Sequence, residues 1–490
     1  MAHRTIVLIG AVLLASTALV HTQIDGWAPA ENTSRQDTLR LLRARKFDRL
    51  DEIVRSAQAA AERDIRHEAG LVRILRAFDT TDPAIAPLVD AWVAHSAASY
   101  PARIARAQHY SALAWEARGS KWGKDTSAAQ FERMNLHFAR VVGDAEFALV
   151  INPRLSVAYA RLIGAARSKA DVEACSGIFE RAYSHTPASL EVRWALALCL
   201  LPRWGGSYKL LETLADDSAS FEGRNPALAA FRGVVAWDRG RALDEPRSPE
   251  AAALYSDAIA KGAHPAFLIS RARAYLWKRR YDDTIADLNR ALTLEPEIPE
   301  ALMLRAWALN DMGRNTAAVD DVRLVQDIDP TNDILAEFRT RENASAVTAG
   351  RKSYDEGSWA AAVARLSTAA ELTGGNPEVF YWRGRARIRS GDDAGGIVDL
   401  QHAIQMDPRY FDAYWNATFV LSRNQDYSAA VDLWTRYLTL EPGNGHALLA
   451  RAKAYAGQAQ AGKAAADAAT ACKLGVTEAC AWPTSAPPRQ

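Results

Sequence analysis

Apolar residues return at helical spacing along most of the chain, in short stretches separated by turns. The clearest register lies between Leu268 and Pro330. Leu268, Ala272, Tyr275, Thr284, Leu288, Ala291 and Pro296 are followed thirty-four residues later by Leu302, Ala306, Leu309, Ala318, Val322, Val325 and Pro330. A period of this length predicts antiparallel helix pairs that bury one stripe on each other and another on the next pair. Small residues at the shared seam, Ala272 and Ala291, permit close approach, while Leu268, Tyr275 and Leu288 fill the space around them. The proline stops the second helix before the next pair begins.

The register extends in both directions. Pro153 and Pro187 are thirty-four residues apart, and Tyr159, Ile163, Ala166, Cys175, Phe179 and Ala182 take the same positions. Pro226 to Ala242 and Pro249 to Lys261 predict a pair with a lengthened turn. Upstream, helices are expected around Leu39 and Leu42 and around Leu50 to Ala57, then over Arg66 to Phe78, over Pro83 to Ser96 with Asp82 as cap, and from Pro101 to a stop at Gly119. After Pro330 the spacing slips, since Pro408 lies seventy-eight residues on, two units plus ten residues. That surplus predicts a long first helix over Asp333 to Glu356. Regular spacing returns from Pro408 to Pro442, and an alanine-rich pair spans Gly445 to Leu474.

The thirty-four-residue pattern resembles the tetratricopeptide repeat superfamily. The resemblance implies an all-α, right-handed solenoid of helix pairs whose usual role is to hold another protein. Two further strings, Ala114-Trp115-Glu116-Ala117-Arg118-Gly119 and Pro202-Arg203-Trp204-Gly205-Gly206-Ser207, resemble a bacterial family known only as a domain of unknown function, over about residues 36–215. That family supplies no reaction. The organisation expected is a signal peptide or anchor at 1–22, a linker at 23–35, a helical-repeat domain of unknown function at 36–262, tetratricopeptide repeats at 263–480 and a Pro-rich tail at 481–490.

Composition narrows the function classes. Among 490 residues, Lys+Arg 59 against Asp+Glu 58 leaves a net charge of +1, without the basic excess that nucleic-acid binding requires. His3 and Arg4, the run Ile6 to Ala15 and Ser16-Thr17-Ala18 read as a secretory signal, with an uncleaved anchor as the alternative. Export to the periplasm or cell envelope makes disulfides relevant. Cys472 and Cys480 flank a turn at Gly475 and resemble the cysteine-linked hairpins of Sel1-like repeats. Cys175 and Cys199 fall at one end of neighbouring helices, where a bridge and two buried thiols are both open.

No catalytic constellation emerges. The ten histidines form no metal-ligand spacing, so neither metal nor cofactor is expected. Ser207 reads as a helix cap, with a hydrolase site at Arg203 to Ser207 as a remote alternative. Trp115, Arg118, Gly119, Arg203, Trp204, Gly205 and Gly206 form either a ligand patch or an irregular joint in which Trp204 fills a gap and Arg203 bonds helix-end carbonyls near Gly119.

The resemblance also implies a binding groove, because the first helix of each tetratricopeptide pair lines the concave face. Its fifth, sixth, ninth, twelfth and thirteenth positions are Tyr381, Trp382, Arg385, Ile388 and Arg389 counted from Pro377, and Trp415, Asn416, Phe419, Ser422 and Arg423 counted from Phe411. Arg273, Trp277, Trp307 and Lys453 join this strip. Aromatic residues with nearly all-positive charge suit a protein segment carrying Asp or Glu. The carboxylate clamp of some relatives is not reproduced, since Tyr381 and Arg385 replace its Lys and Asn and only Asn416 agrees. The function expected is an exported, non-enzymatic scaffold for an acidic or aromatic-rich peptide segment, with a glycan-binding envelope protein as the alternative.

Overall fold

The computed structural model describes residues 33–119, 125–243, 245 and 247–482. The expected signal segment, most of the linker and most of the tail lie outside the described residues. Among the described residues the regular structure is helical throughout, without strands. No helix among them is long and apolar enough to cross a membrane.

From Pro265 the pairs follow the expected register. Pro265–Trp277 packs on Tyr281–Leu294, Pro299–Asp311 on Asn315–Ile328, and Asp333–Asp355 on Trp359–Thr373. Pro377–Arg389 with Asp393–Met406, Phe411–Arg423 with Tyr427–Leu440, and Gly445–Gly457 with Ala461–Lys473 complete the series. Ala272 and Ala291 are fully buried at their seam, with Leu268 and Leu288 beside them. The helix Asp333–Asp355, with 23 residues, absorbs the slip in register. From Pro265–Trp277 to Pro377–Arg389 each first helix touches the next first helix, and the side they line is called the inner face.

A buried ion pair repeats with the helices. The seventh residue of a first helix is arginine in four pairs, and sixteen residues later an aspartate stands on the second helix: Arg271–Asp287, Arg305–Asp321, Arg383–Asp399 and Arg451–Asp467. Each guanidinium grips its carboxylate with two N–H groups at 2.6–2.9 Å. A third N–H reaches the preceding second helix at Ser256, Asn289, Ser367 or Thr435. One side chain thus fixes three helices, and the planar fork makes it arginine work.

The first part of the chain departs from simple stacking. Arg35–Arg43 and Phe47–Arg63 form the first pair. The helix expected over Arg66 to Phe78 is instead Glu68–Leu75 between two 3₁₀ turns. The helix expected from Pro83 begins at Ala86, because Asp82 accepts from the Ala84 N–H and closes a turn first. This segment folds back onto distant repeats. Arg35 donates its backbone N–H to Glu297 at 2.7 Å and its guanidinium to the Glu297 carbonyl, Thr80 donates to Asp329 at 3.0 Å, and Arg76 pairs with Glu295. Buried Glu68 accepts from the Ser189 hydroxyl and the Leu190 N–H, capping Leu190–Cys199 from outside its own helix. One hydrophobic core therefore runs from Leu39 to Leu372, across the expected boundary at 262, and a second runs from Phe380 to Ala479.

Both cysteine pairs are bridged. Cys175 on Val172–Tyr183 is joined to Cys199 at the end of the next first helix, and Cys472 to Cys480 across Gly475 at φ +90°. Of the two possibilities open for Cys175 and Cys199, the structure takes the disulfide.

Candidate partner-binding face

On the inner side, a cavity of about 910 Å³ opens between the first helices from Leu190–Cys199 to Pro299–Asp311. Trp194 stacks on His264 at 3.7 Å and tilts against Trp237, whose Nε1 donates to Ser270 at 2.9 Å. His264 is kept neutral, since burial and nearby Arg76 push its pKa down to about 3. Trp277 stands at the rim, 65% exposed, with the Arg247 guanidinium 4.8 Å from its ring centre. Arg241 lies over Trp237 at 4.6 Å. The walls thus carry indole faces, cations and three carboxylates, of which Glu295 and Glu300 are engaged by Arg76 and Arg273 while Glu245 adds a negative charge at the rim.

Of the expected groove residues, only Arg273 and Trp277 line this cavity. Trp307 stacks on Phe338 under the Arg341 guanidinium and joins adjacent pairs. Buried Tyr381 packs on Trp382 and Tyr410. Arg385 sits among Tyr354, Tyr381 and Trp382, its guanidinium 4.7–5.4 Å from the three ring centres and donating to the Tyr354 hydroxyl. Arg389 covers Trp359. Trp415 and Phe419 are 43% and 63% exposed one turn apart, and Asn416 donates to its own helix at the Asp412 carbonyl.

The expectation of nearly all-positive charge needs correction. Arg273 pairs with Glu300, Arg423 with Asp393, and Lys453 with Glu478. Glu300 and Asp393 come from neighbouring pairs and Glu478 from the short helix Thr477–Cys480 after the last pair, so all three escape a count made along one helix. Among the described residues, Arg385 and Arg389 are the groove cations of this strip that meet rings and no carboxylate.

Trp194, Trp237, His264, Arg241 and Arg247 were not reached by the sequence reading. The same counting would have found two of them: Trp194 is fifth from Leu190 and Trp237 twelfth from Pro226.

The structure brings the second patch together. Trp115 and Trp204 meet edge-on at 5.7 Å, and Gly119, at φ +72°, stops the helix that carries Trp115 and Arg118. Gly205 takes a left-handed conformation, and a Cβ on Gly206 would collide with the Leu200 carbonyl. Both glycines are needed for the sharp exit from Leu190–Cys199 that seats Trp204. Ser207 accepts from the Leu210 N–H and caps the next helix. Among the described residues Arg203 bonds no carbonyl near Gly119, where the joint reading had placed it. It pairs with Asp238 at 3.0 Å, and Arg118 donates to the Gly119 carbonyl instead.

A family described as "Domain of unknown function (DUF4034)" matches residues 34–170, a span that holds Trp115 to Gly119 and ends before Pro202. The chain is 26% identical over 166 residues to human "Tetratricopeptide repeat protein 6", covering 34% of this chain and 30% of that relative. The fold is TPR-like. Among solved structures, the chain is similar to MamA protein at 16% identity, covering 46% of this chain and 98% of that one, with a TM-score of 0.22. It is also similar to the APC/C hetero-tetramer Cut9-Hcn1 at 13% identity, covering 91% and 94%, with a TM-score of 0.24.

Proposed function

We propose that this chain is an exported protein-interaction scaffold that holds an acidic, aromatic-containing segment of a partner against its inner face. The observation that carries the reading is the pairing of aromatic rings with guanidinium groups that meet no carboxylate among the described residues: Arg389 over half-buried Trp359, Arg385 among three rings of which Tyr381 is buried, and Arg247 over exposed Trp277. Rings supply anchor area, and the guanidinium edges remain directed at a carboxylate. Two disulfides support export, because such bonds persist in oxidising compartments. Residues 36–262 and 263–480 are taken as two functional segments of one scaffold, with the cavity at their junction.

Fluorescence anisotropy with Asp/Glu-rich peptides, and with Lys-rich peptides of the same aromatic content, tests the groove. Arg385→Glu with Arg389→Glu is expected to weaken acidic-peptide binding by at least about thirtyfold, roughly 2 kcal/mol, with only a small change in melting temperature. Equal affinity for both peptide classes, or a folded double variant that binds normally, removes the proposal. A fused periplasmic reporter tests export, and activity confined to the cytoplasm rejects it.

A further inference from the structure

The Trp115–Trp204 corner is left over by the groove reading, and its charges do not balance. Arg167, at the end of Ser156–Arg167, lies 4.5 Å from the Trp115 ring centre and 5.7 Å from that of Trp204. Arg118 lies over the same Trp204 ring at 5.1 Å. Arg161 and Arg203 complete the cluster, engaged by Glu191 and Asp238 respectively. Glu191 also faces Arg76, so its charge is shared.

No carboxylate among the described residues engages Arg167. Among the described residues its neighbours are ring faces and three arginines, and its Nε is buried without an acceptor. Burial and the arginines at 161, 203 and 118 pull its pKa down to about 10, with no carboxylate acting in the opposite direction. A half-buried cation crowded by like charges destabilises the fold unless an anion joins it. Indole faces offset part of that cost but accept no N–H hydrogen bonds in the guanidinium plane. The surrounding backbone is specialised to hold this corner, through the left-handed turn at Gly205 and the close approach at Gly206.

We infer that the Trp115–Trp204 corner, with Arg167 at its centre and Arg118, Arg161 and Arg203 around it, is a binding subsite for a carboxylate. The planar, charged group matches one guanidinium fork and supplies the acceptor that Arg167 lacks among the described residues. This inference does not depend on the groove reading, since the corner lies on other helices and would serve a small organic acid as well as a side chain of a bound partner.

Calorimetric titration of the full chain with sodium malonate, at fixed ionic strength, tests it. Wild-type protein is expected to bind, Arg167→Gln to lose at least tenfold in affinity, and Arg167→Lys to fall between, keeping the charge and losing the fork. Without malonate, Arg167→Gln is expected to melt no lower than wild type, opposite to the behaviour of a purely structural arginine. Should Arg167→Gln not fold, Arg118→Gln makes the same comparison, with loss of affinity again expected. Competition by an aspartate-rich peptide assigns the carboxylate to a partner chain, and its failure assigns it to a small acid; both keep the class. Absence of malonate binding, affinity untouched in both variants, or inorganic phosphate binding tenfold tighter than malonate overturns the inference.

Discussion

His264 accepts a hydrogen bond from the Ala266 N–H through Nδ1 at 3.2 Å, so it caps Pro265–Trp277 only as a neutral imidazole. Its pKa falls from 6.5 to about 3 on folding. Between those values the unfolded chain binds a proton that the folded chain refuses, so stability rises with pH across the window and is level above it. Acidification below about pH 6.5 is expected to cost up to roughly 1.4 kcal/mol per pH unit from this residue. His264→Asn keeps a capping oxygen and does not titrate, so denaturant unfolding at several pH values is expected to show a flatter profile; an unchanged slope counts against the assignment. Asp399 poses the opposite case, because it accepts from both Arg383 and Arg387 while almost fully buried. Asp399→Ala leaves Arg383 without its carboxylate and Arg387 with only Asp392, at 3.8 Å, and is expected to cost about 3–5 kcal/mol, read by chemical denaturation.

At the scale of the helix pair, the turn from first to second helix places one residue in the left-handed region. Glycine serves at Gly313, Gly357 and Gly391, whereas Arg279, Gln425 and Ala459 adopt it against steric preference, at φ +57° to +62°. Ala459→Gly is therefore expected to raise stability, by up to about 1 kcal/mol, and a lowered melting temperature would refute this. The disulfides rank by the loop each closes. Cys175–Cys199, with a separation of 24, restricts the unfolded chain more than Cys472–Cys480, with a separation of 8. The expected contributions are about 3.5 and about 2.6 kcal/mol, so Cys175→Ser is expected to lower the melting temperature further than Cys480→Ser. These helices and turns were legible in the sequence because each depends on residues within one thirty-four-residue unit. The arginine–aspartate clamps were not, although their sixteen-residue spacing is fixed. Each partner sits on a different helix and looks like an ordinary charged residue within its own stripe. The groove charges were misread for the same reason: Glu300, Asp393 and Glu478 belong to other helices than the cations they meet.

Across the whole molecule, a solenoid is held by contacts between adjacent units and so unfolds in pieces. The segment from Arg35 to Asp82 breaks that rule. It joins Glu297, Asp327, Asp329 and Thr331 across 249 to 291 residues of sequence, and it shares the continuous core that ends at Leu372. No local pattern records such contacts, which is why the sequence predicted only another helix pair there. Their consequence is mechanical. The inner cavity has Arg76 from this segment and Glu295 from the distant repeat in its wall, so its shape depends on the closure rather than on stacking alone. Asp329 concentrates the junction, accepting from Thr80 and Thr331 and, at 3.0 Å, from Asn332 at the start of Asp333–Asp355. Asp329→Ala is expected to speed backbone hydrogen exchange together in 34–82 and 295–338, while 377–480, whose core begins at Phe380, keeps its wild-type protection. Acceleration confined to 329–338 would mean that the N-terminal segment rests on the repeats without binding them into one cooperative unit. The cavity would then be held open by its own helices.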